Sequence, residues 1–382
     1  NLYQDLSTLY LIGNIAFAES GNYNLDGHLD HTGAQLADYF YADLDGVWTD
    51  TVNYPGNGIN NLFQNIANDG KFDQTMMPSN PEISVGRIFF DNLPVFNEDE
   101  ATLTKRYLKK AHDHKIHKGA IDKTFYEGMT TSGYNYLYTL YYDLKGKPSD
   151  LLIGNDILTD LKDKSVLIGL SNGTGGPSIQ FSGFNSEDLA SKSINAKIMF
   201  LTGSYFYDLR YENNLIRSLL ASNSPTVSVY YSLRKFAGIT YAGNGYPLAT
   251  AAIKLFDDTF QPFTMTPSNL YTGDPTIKLK IINQISGLQI ENEKNKVIIS
   301  WTKNQDAEVN GYKVYRSNSK NGPFEPLMDQ PQNSTEYIDY VPTIGKYYYM
   351  VRAVKKEYSR SASFWNYSTG KVADIEINEI SS

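Results

Sequence analysis

The sequence predicts two domains: an α/β domain with a mostly parallel sheet, followed by a small all-β sandwich. The chain has 382 residues, 41% of them hydrophobic, which is enough for two cores. Before residue 281, apolar strand-like runs alternate with helical stretches, as in a parallel sheet covered on both faces. After residue 288 the pattern changes to short strands with alternating apolar and polar residues, separated by residues typical of turns. The boundary is therefore expected within 281–288.

The α/β part is predicted from the order of its apolar runs. Its clearest helix, 98–118, follows Asn97, a predicted N-cap, with acidic residues in the first turn and lysines toward the end, as the helix dipole favours. The other runs that carry the alternation are 9–15, 165–170, 196–201, 214–221, 226–231 and 249–256.

The all-β part is predicted from alternation with a period of two. In the segment 346–354, Tyr347, Tyr349, Val351 and Ala353 fall on one face, so this segment reads as a half-buried strand. Further strands are predicted at 296–301, 311–316 and 337–340.

Composition excludes several classes of function. The net charge is −8 and no dense Lys/Arg run is present, so a nucleic-acid partner is not expected. No apolar run approaches the roughly 20 residues that span a bilayer, so no membrane span is expected. The chain has no cysteine, which removes thiol nucleophiles, thiolate metal sites and disulfides. The segment 1–10 lacks the pattern of a signal peptide, which is expected outside this numbering.

The second domain resembles a fibronectin type III domain, an immunoglobulin-like sandwich, over residues 283–372. The motifs are Trp301, GYKVYR at 311–316, YID at 337–339, GKY at 345–347 and VRAV at 351–354. The resemblance implies that Trp301 packs the core and that Tyr347 makes a corner hydrogen bond. Residues 373–382 are expected to be a tail or the start of a further segment.

The first domain, residues 1–282, resembles the gingipain family of cysteine peptidases. The segments that carry the resemblance are YLIGN at 10–14, ADYFYADLDG at 37–46, PEISVGR at 81–87, LSNGTG at 170–175 and YTGDPTIKL at 271–279. It implies a caspase-like α/β fold. It also implies a preceding α/β half upstream of residue 10, which lies in a longer precursor or comes from another polypeptide.

The family's chemistry uses a Cys thiolate and a His, each just past the end of a neighbouring parallel strand. The resemblance places these positions at Gly176 and Ser204, so both the imidazole and the thiol are missing. A Ser hydroxyl needs a nearby general base, and the sequence shows none at the expected position. The expected result is a degenerate dyad without catalysis. The retained strand ends are expected to form a binding groove from Asn172, Gly173, Thr174, Gly175 and Tyr205.

Acidic loops raise the question of a metal. Asp43, Asp45 and Asp50 crowd one segment, and oxygen-rich loops suit calcium, which gingipain relatives often bind. The spacing matches no EF-hand loop, and the favoured interpretation is Asp side chains that form turns. No other cofactor is expected.

The leading functional hypothesis is a non-catalytic gingipain-like pseudopeptidase, secreted or on a bacterial cell surface, that binds or scaffolds a protein or peptide. One alternative is an active hydrolase that uses Ser204, with a displaced base or a base supplied by another segment. Another is a structural subunit of a larger extracellular assembly. These three hypotheses remain open at the level of the sequence.

Overall fold

A computed structural model of the chain describes residues 6–23, 29, 32–54, 64–117, 123–128, 140, 143–144, 151–173, 175–180, 183–203, 205–231, 240–258, 270–293, 296–306, 308–340, 343–359 and 361–379. The chain divides into two compact units, residues 1–111 with 120–279 and residues 112–119 with 280–382. The boundary thus falls between Leu279 and Lys280, whereas the sequence predicts it after residue 282. No helix within the described ranges is both long enough and apolar enough to cross a bilayer.

The first unit is built on an eight-stranded mixed sheet. Its strands and those of two small hairpins are β1 (Thr8–Ile12), β2 (Glu19–Tyr23), β3 (Gly33–Leu36), β4 (Ser84–Ile88), β5 (Lys123–Gly128), β6 (Leu151–Gly154), β7 (Val166–Asn172), β8 (Gly175–Gly176), β9 (Ile179–Gln180), β10 (Ala196–Thr202), β11 (Ser228–Tyr231) and β12 (Leu270–Gly273). The helices are α1 (Glu100–Lys115), α2 (Ile157–Asp160), α3 (Ser186–Ser191), α4 (Leu215–Ala221), α5 (Thr240–Gly243) and α6 (Leu248–Asp258).

Most neighbouring strands of this sheet are parallel. The order is β1-β4-β12-β11-β10-β7-β5-β6, and every neighbouring pair is parallel except β11 with β12. The predicted mostly parallel sheet is confirmed, while the antiparallel pair is a feature that the sequence pattern does not predict. The carboxyl ends of β7 and β10 lie side by side at one edge of the sheet, and β4 meets β12 at a single residue pair, Thr272 with Arg87.

The central strands are buried on both faces. In β7 all residues except Asn172 are buried, in β10 all except Lys197, and in β11 all four. A strand that is buried at successive positions has cover on both sides of its sheet, because successive side chains point to opposite faces. The predicted covering on both faces is therefore confirmed for this part of the sheet.

Helix α1 begins two residues later than the sequence predicts and has a different cap. The Asp99 carboxylate accepts a hydrogen bond from the Thr102 backbone N–H at 2.7 Å, as an N-cap side chain does. Asn97 instead ends the preceding 3-10 turn Pro94–Phe96 with a left-handed backbone (φ 51°). The prediction of Asn97 as the cap is therefore wrong, because the chain makes an extra turn before the helix starts.

A buried ion pair connects two of the segments that carry the gingipain resemblance. Arg87 in β4 donates two hydrogen bonds to the Asp38 carboxylate, both of 2.8 Å, and its side chain is fully buried. Two further guanidinium donors reach the carbonyl oxygens of Ile15 and Ala16. Removing one partner of a pair this well satisfied leaves a buried charge and typically costs about 3–5 kcal/mol of stability.

The second unit consists of two antiparallel sheets around a separate core. Its strands are β13 (Ser286–Glu293), β14 (Lys296–Thr302), β15 (Gly311–Ser317), β16 (Glu325–Pro326), β17 (Glu336–Tyr340), β18 (Gly345–Tyr358), β19 (Ser363–Tyr367) and β20 (Lys371–Ile377). The smaller sheet is β13-β14-β17; the larger is β16-β15-β18-β19, with β20 also paired to β18. As predicted, Tyr347, Tyr349, Val351 and Ala353 of β18 are all buried.

Two sequence predictions for this unit are confirmed and one is corrected. Trp301 is 5% exposed and its ring meets that of Tyr312 edge-on at 5.3 Å, so it packs the core. The Tyr347 hydroxyl donates to the Thr343 carbonyl at 3.0 Å, which is the corner hydrogen bond. Residues 373–377, however, belong to β20 and pair with β18, so the expected tail starts later than residue 373.

Candidate functional site

The candidate site lies where β7 and β10 end side by side. These strands are parallel neighbours, and their register places Thr202 opposite Asn172. The Thr202 hydroxyl and the Asn172 side-chain oxygen are 2.5 Å apart, and the Gly173 N–H donates to the Thr202 carbonyl at 3.2 Å. The two strand ends predicted to carry the dyad positions are thus joined directly. Thr174 and Ser204 lie outside the described residues.

Glycines let the chain pass close to itself just beyond these strand ends. Gly203 has φ +148°, and a Cβ atom there would lie 2.1 Å from the Gly173 carbonyl oxygen. A Cβ atom on Gly175 would lie 2.2 Å from the Ile179 carbonyl oxygen. Both would also approach the buried ring of Phe206 to 2.7 Å, so neither position accepts a side chain without backbone movement.

Gly176 differs sharply from these crowded glycines. It pairs with Ile179 in the short hairpin of β8 and β9 and is half-buried. A Cβ atom on it would meet only the Ile179 side chain, at the ordinary van der Waals distance of 3.6 Å. The backbone at 176 therefore has room for a side chain, although the sequence supplies none.

The segment after β10 is fixed by polar contacts to its backbone. Tyr205, one of the predicted groove residues, has a left-handed backbone with φ 69°. The Tyr231 hydroxyl donates to the Gly203 carbonyl at 2.5 Å. Asn214, which also caps α4, donates its side-chain N–H to the Phe206 carbonyl at 2.8 Å. These contacts tie the backbones of Gly203 and Phe206 to β11 and to the start of α4.

A buried carboxylate that the sequence analysis missed, Glu127, stands at the same edge of the sheet. It lies near the end of β5, level with Leu170 of β7, and so shares a face with Asn172 two residues further on. Its side chain is 8% exposed and makes no hydrogen bond or ion pair with any described residue. Burial in this apolar setting raises the pKa of Glu127 to about 7.

The Glu127 carboxyl is consequently poised between its neutral and charged forms near neutral pH. Such a group can accept or donate a proton, or can bind a cation or a hydrogen-bond donor of a ligand. The available sequence signal was a glutamate directly after the apolar pair Phe125 and Tyr126. That signal does not reveal burial, because the neighbours of β5 in the sheet, β6 and β7, come from later parts of the chain.

The acidic candidates are only partly brought together. Carboxylate oxygens of Asp43, Asp45 and Glu82 lie within 4.8 Å of one another. Asp50 is engaged elsewhere, where it accepts from the backbone N–H groups of Asn68 and Gly70 at 2.7 and 2.8 Å.

The Asp43 oxygens already accept hydrogen bonds from three donors, two of its own loop and one from a distant part of the chain. These are the Gly46 backbone N–H, the Trp48 indole N–H and the Ser79 hydroxyl, at 2.8, 3.1 and 2.5 Å. Asp43 and Asp50 therefore act as loop-forming acceptors, in line with the favoured interpretation from the sequence. Asp45 and Glu82 are exposed, and calcium binding by this group remains an expectation.

Comparisons with known proteins give a limited result. No family model matches the chain. An amylopullulanase from Thermoanaerobacter thermohydrosulfuricus is 30% identical over 122 residues, which is 31% of this chain but only 8% of that protein. The chain thus spans a small fraction of this curated relative.

Two solved structures illustrate the structural likenesses. A Fn3-like protein from Clostridium thermocellum is 28% identical, with 23% of this chain and 86% of that chain covered and a TM-score of 0.18. The Clostridium perfringens spore cortex lytic enzyme SleM is 12% identical, with 77% and 80% covered and a TM-score of 0.20. Likenesses at these scores assign neither a family nor an activity to the chain.

Proposed function

We propose that the chain is a non-catalytic, gingipain-like pseudopeptidase that binds a protein or peptide at the strand ends of β7 and β10, outside the bacterial cell or on its surface. In this proposal the first unit keeps a caspase-like framework without its dyad. The second unit is a fibronectin type III module that serves as a spacer or contact domain.

The observation that carries the proposal is the contrast between Gly176 and its neighbours. Gly175 and Gly203 are glycines for a steric reason, whereas Gly176 has space for a side chain and carries none. With no cysteine in the sequence, a thiolate–imidazole dyad has neither of its members. The bond between Thr202 and Asn172, which joins the ends of β7 and β10, supports the proposal that the framework around the site remains.

The strand ends at this edge carry polar groups that can bind an extended ligand. Asn172 and Thr202 carry side-chain amide and hydroxyl groups, and Glu127 adds a carboxyl on the same face. Parallel strands direct their carboxyl ends to a common edge, which is where ligands of open α/β sheets bind. Binding without turnover is the function that these groups support best.

The test compares peptide cleavage by the unmodified protein, by Ser204→Ala and by the double variant Gly176→His plus Ser204→Cys. We expect no cleavage by the first two proteins and measurable cleavage of a peptide library by the double variant. Introduction of Cys at 204 alone is the matched control, because a thiol without its imidazole should remain a weak nucleophile. Cleavage by the unmodified protein that Ser204→Ala abolishes would contradict the proposal.

A second candidate function, hydrolysis through Ser204, is favoured by one observation. Glu127 is a buried carboxyl at the same edge whose pKa of about 7 suits a general base. In this case, covalent labelling of Ser204 by a serine-reactive phosphonate should increase with pH as Glu127 loses its proton. The labelling should be absent in Glu127→Gln. Absence of labelling between pH 6 and pH 9 would rule against this candidate and leave the first.

A further inference from the structure

The outward side of the larger sheet of the second unit carries an unusual group of side chains. Because Tyr349, Val351 and Ala353 of β18 point into the core, the residues between them point outward. The register places Lys313 of β15 opposite Arg352, and Trp365 of β19 opposite Lys356. We call the patch formed by Lys313, Arg352, Lys356, Tyr358, Trp365 and Tyr367 the basic aromatic face.

Aromatic rings and cations are interleaved on this face. The Arg352 guanidinium carbon lies 5.7 Å from the centroid of the Tyr367 ring. The Lys356 Nζ atom lies 5.7 Å from the Tyr358 ring and 5.9 Å from the Trp365 ring. Tyr358 and Trp365 are 55% and 45% exposed, so large flat surfaces face the solvent beside the cations.

Among the described residues, the cations of this face have no acidic partner. None of Lys313, Arg352 and Lys356 forms an ion pair with a described residue, and the described residues that point outward from β15, β18 and β19 between Met350 and Tyr358 include no Asp or Glu. Lys346, further back along β18, is different: it pairs with Asp374 at 2.8 Å. The missing counter-charge marks the basic aromatic face as complementary to an anion.

The spacing of the cations selects the kind of anion. Lys313 and Arg352 stand at one level of the sheet and Lys356 stands about 13 Å further along, given the rise of a strand. One strand of a nucleic acid carries a charge about every 3.4 Å, which is much denser than this arrangement. A polymer with one carboxylate per sugar ring has sparser charge, and the apolar faces of its rings can stack on Tyr and Trp.

We propose that the basic aromatic face binds an acidic polysaccharide of uronic acid residues. Lys313, Arg352 and Lys356 pair with carboxylates of the polymer, while Trp365 and Tyr358 stack on its sugar rings. The proposal concerns only the second unit and goes beyond the proposed groove function, because it holds whether or not the dyad positions of the first unit are catalytic.

The experiment measures binding of sodium polygalacturonate to the full chain, with amylose as the uncharged polysaccharide and oligothymidylate as the nucleic acid. We expect binding of polygalacturonate only, with a modest decrease in affinity as salt is raised, because few charges are involved. Tryptophan fluorescence reports the contact: of the three tryptophans, Trp365 is exposed, Trp301 is buried and Trp48, in the first unit, is half-buried. The change on binding should disappear in Trp365→Phe.

Matched variants locate the site. Arg352→Gln combined with Lys356→Gln should weaken binding at least about tenfold, because two carboxylate contacts are lost. Lys346→Gln lies on the same strand and removes one charge that is already paired, so its affinity should stay within about twofold of the unmodified protein. Circular dichroism of each variant verifies that the fold is retained, as expected for surface substitutions.

Three outcomes would overturn the proposal. The first is no detectable binding of polygalacturonate by the full chain at low salt. The second is equal loss of affinity in the double variant and in Lys346→Gln, which would indicate a general charge effect. The third is tighter binding of oligothymidylate than of polygalacturonate, which would assign the face to nucleic acid instead.

Discussion

Glu127 is a buried residue of the candidate site that the sequence analysis does not reveal. The strands beside it, β6 and β7, come from later parts of the chain, so no local sequence pattern indicates that Glu127 is buried. Gly176 is the opposite case, since the motif that ends in Gly175 fixes its position and its lack of a side chain is visible in the sequence itself. Asp38 and Arg87 fall between these cases, because their motifs are recognisable but their pairing is not.

The raised pKa of Glu127 predicts a specific dependence of stability on pH. The unfolded chain releases this proton near pH 4.5, whereas the folded protein retains it to about pH 7, so the free energy of unfolding falls between these values as pH rises. Glu127→Gln removes the titration. The variant should match the unmodified protein at pH 4 and be more stable by about 2 kcal/mol at pH 8.

Urea unfolding at both pH values measures this difference. Glu187→Gln, at an exposed position of α3, is the control and should leave the pH dependence unchanged. If Glu127→Gln follows the same pH curve as the unmodified protein, the carboxyl is ionised in the folded state and the proposed role as a base near neutral pH is wrong.

At the scale of elements, the connections after β7 and β10 are governed by close backbone approach. Gly203→Ala would place a Cβ atom 2.1 Å from the Gly173 carbonyl oxygen at a backbone angle that favours glycine. We expect a loss of more than about 2 kcal/mol in the free energy of unfolding. Gly176→Ala, where the space is open, should change it by less than about 0.5 kcal/mol. Chemical denaturation of both variants measures these changes in the free energy of unfolding. Equal losses in the two variants would contradict the difference in space at positions 203 and 176.

Elements with a long regular pattern are the ones that the sequence predicts well. The period of two in β18 and the charge distribution of α1 locate both elements within a few residues. The hairpin of β8 and β9 is not predicted, because two-residue strands leave no periodicity. The start of α1 is misplaced for a related reason: Asn97 and Asp99 are both good caps, and only the preceding turn decides between them.

At the scale of the whole molecule, the two separate cores predict that the second unit folds without the first. A fragment of residues 280–382 contains Trp301, Tyr312 and the other members of that core. It should give a β-sheet circular dichroism spectrum and one cooperative unfolding transition, with Trp301 fluorescence as a second probe. A fragment that ends at residue 372 cuts into β20 and should be clearly less stable. Equal stability of the two fragments would contradict the assignment of β20 to the sandwich.

The two-domain organisation follows from the sequence, but the arrangement of the large sheet does not. The change in sequence pattern near residue 281 lies close to the observed boundary, because segments with helices and segments with strands alone differ in local hydrophobic pattern. Strand order and direction depend on pairings between distant segments, such as β4 with β12, and no single segment encodes them. The antiparallel pairing of β11 with β12 is the clearest example.

The crowded glycines also limit how this edge of the sheet can change in evolution. Gly175 and Gly203 have no room for a side chain, so a substitution at either position disturbs the backbone, whereas position 176 has open space. A reactive side chain can therefore be lost or regained at position 176 in successive generations without repair elsewhere in the fold. In this sense the edge is a fixed scaffold with one replaceable position.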